Sequence, residues 1–227
     1  SYKYHSKHMK HLKRHVNIAI NKEYIEIQKY AFRKYKIKTV ENKHTHLVQE
    51  ELEKLEKLNL SGRYMKLQKS LDAFLFCCYA GMRYSDFTNL SSRNIIDINQ
   101  EKWLIYKSVK TGTEVRLPLY LLFSGKGLAI LNKYRDNLEN FFHLRDNSNV
   151  NKDLAVLTKL AGLSKNISFH TARHTNATLL IYNGVNITTV QKLLGHKSVK
   201  TTQVYTNIMD MTIIHDLQKM KQTAAFV

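Results

Sequence analysis

The apolar stretch that ends at Gly81 constrains the fold of this chain more than any other part of its sequence. Residues 73–80, AFLFCCYA, form the longest uninterrupted apolar run. The run is too short to cross a membrane, where about 20 residues are needed, and long enough to fill a core. We predict a buried helix over about residues 62–79, ended by Gly81. The adjacent Cys77 and Cys78 cannot cross-link a fold and indicate a reducing, intracellular compartment.

The middle of the chain predicts one small sheet among helices. Leu52, Leu55 and Leu58 share a helix face, and a short helix begins near Ser85 with a polar cap. Short apolar runs in residues 94–119, separated by Asn-Gln-Glu and Thr-Gly turns, predict three short antiparallel strands. The pattern after them is helical to the end, except for an expected polar loop at about 145–153. The predicted fold class is therefore α+β, mainly α-helical, with a small three-stranded antiparallel sheet.

Short helices with sharp ends characterise the last third of the chain. FHTARHTNATLLIYNG predicts a helix ended by Gly184, Asn186 caps a helix ended by Gly195, and Ser198 caps VKTTQVYT. This pattern is also typical of a helix-turn-helix, so a non-catalytic DNA-binding protein is an alternative interpretation.

Excess positive charge predicts an anionic partner. The formal net charge is +18, and residues 1–46 carry 12 Lys+Arg against 3 Asp+Glu. Such a charge favours nucleic acid, and no RNA-binding motif supports an RNA-binding domain instead. The segment before residue 33 predicts one long amphipathic helix that extends towards Tyr24 and Ile27, and the polar residues 33–46 predict a linker. His5, His8, His11 and His15 share a helix face that we interpret as basic and solvated, with a metal site as the less favoured alternative. The candidate DNA contacts are Lys7, Lys10, Lys13, Arg14, Lys36, Lys38 and Lys197.

The residues that could carry chemistry are cationic, apart from one tyrosine. The chain has no P-loop, G-x-G-x-x-G, HExxH or paired CxxC motif, and carboxylates are too sparse near the candidate residues for a two-metal nuclease. Cutting DNA would then need cations around the phosphate and a side-chain nucleophile. The candidates, in chain order, are Arg83, Lys110, His170, Arg173, His196 and Tyr205.

These six residues and their contexts resemble the catalytic signature of the tyrosine recombinases, the family of the phage integrases. The matching contexts are AGMRYSD, VKTGTEVRLPL, FHTARHTNATLLIYNGVNITTVQKLLGH and SVKTTQVYTNI. The resemblance implies a site-specific DNA recombinase that cleaves and rejoins DNA through a 3′-phosphotyrosyl intermediate on Tyr205. It also allows a DNA-relaxing enzyme of the type IB topoisomerase kind, which site preference would distinguish.

The resemblance implies a role for each residue. Arg83 and Arg173 would clamp the phosphate, His170 would accept the proton of Tyr205, and Lys110 would protonate the leaving 5′-oxygen. His196 would bond a non-bridging oxygen. Asp86, where the family more often has glutamate, would brace the histidine and arginine side chains.

The resemblance also implies partners and a domain plan. The partners would be double-stranded DNA and three further copies in a tetramer on paired sites, with no metal, cofactor or ATP. The short apolar runs predict no membrane span, and we expect the location to be cytoplasmic and nucleoid-associated. Residues 1–45 would be the last helix of a core-binding domain plus a basic linker, and 46–227 the catalytic domain with a tail helix at about 209–227. Because the chain is short for the family, we expect it to be a fragment of a longer protein.

Overall fold

A computed structural model describes residues 2–37 and 44–208. The chain divides into two compact units, residues 1–43 and 44–227. The expected tail helix at about 209–227 and the candidate DNA contact Lys38 lie outside the described residues.

The first unit is built on one long helix. α1 spans Tyr2–Asn21, and a single 3-10 turn follows at Ile27–Lys29. The predicted helix was too long at its C-terminal end: Glu23 adopts a left-handed conformation (φ 60°) just after α1, and Tyr24 is 78% exposed. The buried ring of Phe32 lies 5.9 Å from the Lys13 ammonium, a cation–π contact within this unit.

The second unit contains nine of the described α-helices and the sheet. Its helices are α2 Gln49–Glu56, α3 Gln68–Ala80, α4 Tyr84–Phe87, α5 Lys126–Lys133, α6 Leu138–Phe142, α7 Asn147–Leu160, α8 Phe169–Tyr182, α9 Ile187–Leu194 and α10 Val199–Thr202. Tyr205 lies on the 3-10 segment Gln203–Ile208 that continues α10.

The core is centred on α3, as the apolar run predicts. Every residue from Ser70 to Ala80 is buried, and α3 packs along α8. A 3-10 turn at Gly62–Leu67 precedes α3, so the α-helix begins six residues later than predicted. Gly81 ends α3 in the left-handed conformation (φ 67°), as expected.

The sheet confirms the predicted fold class. β1 (Ile95–Ile98), β2 (Glu101–Lys107) and β3 (Glu114–Pro118) pair antiparallel in the order β1-β2-β3. Leu104 lies opposite Leu117, and both are buried because alternate side chains face the core. The β2–β3 hairpin carries Lys110 in its turn.

Residues 147–160 form a helix where the sequence predicted a polar loop. The Asp146 carboxylate accepts a hydrogen bond from the Asn149 amide at 3.1 Å and so caps α7. Val150, Leu154 and Leu157 are fully buried on one face of this helix. The loop prediction was wrong because Asp146 is the helix N-cap and the polar residues 147–149 form the first turn, so the helical apolar spacing begins only after them.

None of the helices in the described part of the chain is long and apolar enough to cross a membrane.

Candidate active site

Arg173 lies at the centre of the site and is almost completely buried. It is 1% exposed on α8, where Nη1 donates to the Gly81 carbonyl at 2.8 Å and Nη2 to the Leu194 carbonyl at 2.6 Å. Its guanidinium therefore ties the end of α3 to the end of α9. Burial, followed by repulsion from Arg83, lowers the pKa of Arg173 to about 10, so the side chain is still a cation at neutral pH.

Two glycine turns bring those carbonyls to Arg173. Gly81 and Gly195 both have left-handed backbones, with φ of 67° and 63°. A Cβ on Gly81 would lie 2.6 Å from Oδ1 of Asn176, and one on Gly195 would lie 2.6 Å from Cγ2 of Val115. Both positions therefore require glycine for space as well as for conformation.

Asp86 joins Arg83 to the hairpin. Its buried carboxylate accepts hydrogen bonds from Nη1 of Arg83 at 3.4 Å and from the Val109 amide at 2.9 Å. Ser108 lies between them, donating to Asp86 at 3.3 Å and accepting from Arg83 at 3.1 Å. α4 begins at Tyr84, so Arg83, rather than Ser85, is its N-cap residue.

The arrangement agrees with a bracing role for Asp86 towards an arginine. Among the described residues, no hydrogen bond joins Asp86 to a histidine. The bracing of a histidine by Asp86 therefore stays a prediction.

Lys110 is exposed in the hairpin turn, and the turn is anchored close to His196. Oγ1 of Thr111 donates to the Gly195 carbonyl at 3.2 Å, and Gly112 closes the turn through a 2.8 Å bond to the Ser108 carbonyl. Lys110 lies close enough to His170 and His196 to lower both of their pKa values. The hairpin thus places the exposed Lys110 ammonium next to the site without burying it.

His196 is buried next to the glycine turn and is uncharged at neutral pH. It is 8% exposed, and its Nδ1 lies 2.9 Å from Oγ1 of Thr202 on α10. Burial, then the charges of Arg173 and Arg83, lower the pKa of His196 to about 4. The hydrogen bond to Thr202 sets the ring orientation and leaves Nε2 free of that contact.

Tyr205 is 4% exposed, and its hydroxyl lies 3.0 Å from Nδ1 of His174. Burial raises the pKa of Tyr205, while Arg173 and Arg83 act in the opposite direction. Burial, then the neighbouring His170, lower the pKa of His174 to about 3, so this ring is neutral and can accept a hydrogen bond.

His174 is the site residue that the sequence reasoning missed. His170 lies one turn earlier on α8, exposed, with its ring 4.6 Å from that of His174 and nearly perpendicular to it. Partial desolvation, then Arg173 and Arg83, lower the pKa of His170. The sequence signal that could have identified His174 was its spacing from His170, because residues four apart share a helix face. Choosing between the two histidines required the position of Tyr205.

The structure thus gathers all six candidate residues and Asp86 in the second unit. Of the candidate DNA contacts, Lys197 is exposed directly after His196. The others with described positions are on the first unit, where all but the half-buried Lys13 are exposed: Lys7, Lys10, Lys13, Arg14 and Lys36. Within residues 2–37 and 44–208, no group of three or more His, Cys, Asp or Glu side chains could hold a metal ion.

The chain belongs to the phage integrase family, whose sequence profile matches residues 46–211. It is 34% identical over 161 residues to a tyrosine recombinase of Thermosipho africanus (strain TCF52B), covering 67% of this chain and 54% of that protein. The chain therefore spans about half the length of this curated relative.

Solved structures share the fold. A crystal structure of XerA recombinase matches with a TM-score of 0.60 and 22% identity, covering 94% of this chain and 82% of that chain. A lambda integrase dimer bound to a COC′ core site matches with a TM-score of 0.66 and 21% identity, covering 86% and 69%.

Proposed function

We propose that this protein is a site-specific DNA recombinase that cuts and rejoins DNA through a 3′-phosphotyrosyl link to Tyr205. The observation that carries the proposal is the setting of the Tyr205 hydroxyl, which bonds the neutral His174 and lies in the field of Arg83 and Arg173. A tyrosine needs such help because its ordinary pKa is about 10. A non-catalytic helix-turn-helix protein would not require a tyrosine in this environment.

The cutting step exchanges one phosphodiester for another. The oxygen of Tyr205 attacks the scissile phosphorus, a P–O bond to tyrosine forms, and the bond from phosphorus to the 5′-oxygen breaks. The tyrosine proton passes to the histidine beside it, and Lys110 donates a proton to the departing 5′-oxygen. A 5′-hydroxyl of another strand reverses these transfers and joins the ends.

The same electrostatic effects keep the Tyr205 hydroxyl protonated in the free protein. The pKa of Tyr205 is raised and that of His174 is about 3, so the proton stays on the tyrosine until DNA binds. Part of the depression at His174 comes from Arg173 and the neighbouring imidazoles. A phosphate anion beside Arg173 offsets that repulsion and raises the pKa of His174, which makes proton transfer depend on bound substrate.

The remaining side chains surround the phosphate. Arg83 and Arg173 stabilise the charge that builds up on its oxygens, and two backbone carbonyls hold Arg173 in place before substrate arrives. His196 donates to a non-bridging oxygen through the nitrogen that faces away from Thr202. His170, exposed on the same helix as Arg173, remains a second candidate for accepting the tyrosine proton.

The proposed reaction uses neither metal nor ATP. The phosphotyrosyl bond retains the energy of the bond that was cut, so no other energy source enters the cycle. Double-stranded DNA is the proposed substrate, and the basic α1 and exposed Lys197 supply candidate phosphate contacts. Recombination exchanges strands between two duplexes, which supports a tetramer on paired sites, with the sequence at 209–227 as the candidate contact between copies.

A covalent trap tests the proposal. The protein is incubated in EDTA with nicked duplexes that tile the DNA flanking its own gene, and denaturing gels detect protein–DNA adducts. We expect an adduct with the wild type and none with Tyr205→Phe. Tyr120→Phe is the matched control, since this tyrosine lies beside Trp103 at the end of the sheet away from the hairpin turn.

The alternatives are distinguished by combining the adduct gel with assays of plasmid relaxation, strand exchange and DNA binding. A tyrosine-dependent adduct with relaxation of any supercoiled plasmid, and no strand exchange between duplexes, would indicate a relaxing enzyme. Salt-sensitive DNA binding that is equal in the wild type and Tyr205→Phe, without an adduct on any duplex, would favour a DNA-binding protein without this chemistry and would contradict the proposal.

A further inference from the structure

His174, the partner of the nucleophilic tyrosine, is surrounded by three aromatic rings. The ring of His44 stacks on it, with centroids 4.4 Å apart and planes inclined by 28°. His170 meets it edge-on at 4.6 Å, and Tyr205 lies 5.6 Å away. His170 precedes His174 on the same helix, whereas His44 comes from the start of the second unit, far away in sequence.

The segment that carries His44 is attached to α8 and to the turn before it. The Leu47 amide donates to Oγ1 of Thr175, the residue after His174, at 3.0 Å, and Leu47 is fully buried. The ammonium of Lys165 donates to the His46 carbonyl at 3.1 Å and to the Glu51 carboxylate at 2.5 Å. These bonds hold the peptide unit between His46 and Leu47, two residues after His44, and therefore restrict where the His44 ring can lie.

The orientation of the His174 ring decides whether it can serve Tyr205. Hydrogen bonds weaken steeply when their geometry departs from linearity, so a turned imidazole would not direct Nδ1 at the hydroxyl. An imidazole torsion is broad by itself, and packing has to select one orientation. The stacked His44 ring lies against the face of His174 and opposes that rotation.

We propose that His44 is a positioning residue, which acts through His174 to hold the Tyr205 hydroxyl in the orientation required for attack. The expected effect of His44 on the reaction rate rests on the proposed function. The expected effect of His44 on the orientation of the His174 ring rests on the ring geometry alone. Because His44 is exposed, its replacement removes little packing from the core. Its effect on the reaction should therefore separate from any effect on folding.

The first experiment needs no DNA. In the ¹⁵N-labelled 227-residue chain, the nitrogen shifts of His174 report which ring nitrogen carries the proton and whether the ring exchanges between states. We expect one tautomer in the wild type and in His44→Phe, which keeps a flat ring, and averaged shifts in His44→Ala. Thr45→Ala, in the same exposed segment, serves as the control. Identical His174 shifts in the wild type and His44→Ala would overturn the proposal.

The second experiment measures the rate of adduct formation at saturating DNA, with the nicked duplex that the wild type cuts. We expect His44→Ala to form the adduct about tenfold more slowly, which is less than the loss expected when a proton-transfer group itself is removed. Its DNA affinity and melting temperature should be unchanged. His44→Phe should recover most of the rate. In a His174→Ala background, His44→Ala should have no further effect. An equal loss in both backgrounds would show that His44 acts by another route.

The two experiments separate the inference from the proposed function. If no duplex yields a Tyr205-dependent adduct, the proposed function fails, and the nitrogen shifts still decide whether His44 positions His174. If adducts form and the shifts do not respond to His44→Ala, the function stands and the positioning role is wrong.

Discussion

Replacing Gly195 with alanine should destabilise the second unit through two separable effects. The backbone there is left-handed (φ 63°), which costs an L-residue about 1 kcal/mol. The new Cβ would also lie 2.6 Å from Cγ2 of Val115 on β3, a distance that forces the backbone or the strand to move. Overpacking of that kind costs about 1–3 kcal/mol, so we expect Gly195→Ala to lower the free energy of unfolding by about 2–4 kcal/mol.

Gly162 provides a matched control for the second effect. It has nearly the same backbone conformation (φ 66°), and nothing lies within 4 Å of a Cβ built on it. Gly162→Ala should therefore cost only the conformational part, about 1 kcal/mol. Urea denaturation followed by circular dichroism measures both variants, with equal slopes against urea expected if the transition stays two-state.

The functional consequence follows from what the Gly195 turn carries. The turn lies between the Leu194 carbonyl, which accepts from Arg173, and His196. Gly195→Ala should therefore also slow adduct formation, whereas Gly162→Ala should not. Equal losses of stability in the two variants would refute the close approach of β3. A second check combines the two substitutions. In a Val115→Ala background, Gly195→Ala should lose most of the destabilisation that exceeds the cost of the left-handed backbone.

Three further outcomes follow from the site. Asp86→Asn should slow adduct formation about tenfold or more with little change in DNA affinity, because Arg83 loses a charged partner; an unchanged rate measured on the gel would contradict the bracing contact. Arg173→Lys should slow it at least as much and lower the melting temperature, since an ammonium cannot span two carbonyls and still clamp a phosphate in plane; wild-type values in both assays would contradict this. His174 and His196 have folded-state pKa values of about 3 and 4, below the ordinary value near 6.5. Their contribution to stability is therefore complete above pH 6.5 and is lost as the pH falls from 6.5 through 4 and 3. Urea midpoints at pH 7.5 and pH 5 should show this loss, and His196→Gln should reduce it; an equal pH dependence would contradict the assignment.

Local sequence signals predicted the parts of the fold that depend on nearby residues. Asn186 caps α9 through its side chain, Ser198 caps α10, and Gly81 ends α3, all as the sequence indicates. These features depend on contacts within about one turn, which a short stretch of sequence contains in full. The same rule failed at 145–153, where the sequence predicts a loop although Asp146 caps α7 and the asparagines after it lie within the helix.

Other features depended on residues far away in the chain. Arg173 is among the most completely buried side chains, although arginine is ordinarily exposed. Its burial requires the Gly81 and Leu194 carbonyls, which lie at the ends of two other helices. No periodicity around position 173 contains that information, so the sequence pattern could indicate a functional arginine but not what holds it in place.

By itself the sequence determined the class of fold, the three-stranded sheet, the family and the set of six candidate residues, because these depend on local spacing and on residue types in a fixed order. The tertiary structure decided which histidine touches Tyr205, which ring stacks on that histidine, and which protonation states the site holds at neutral pH. Those properties depend on distances of a few ångströms between segments distant in the chain, and on the loss of water around buried charges. Both arise only when the helices pack together.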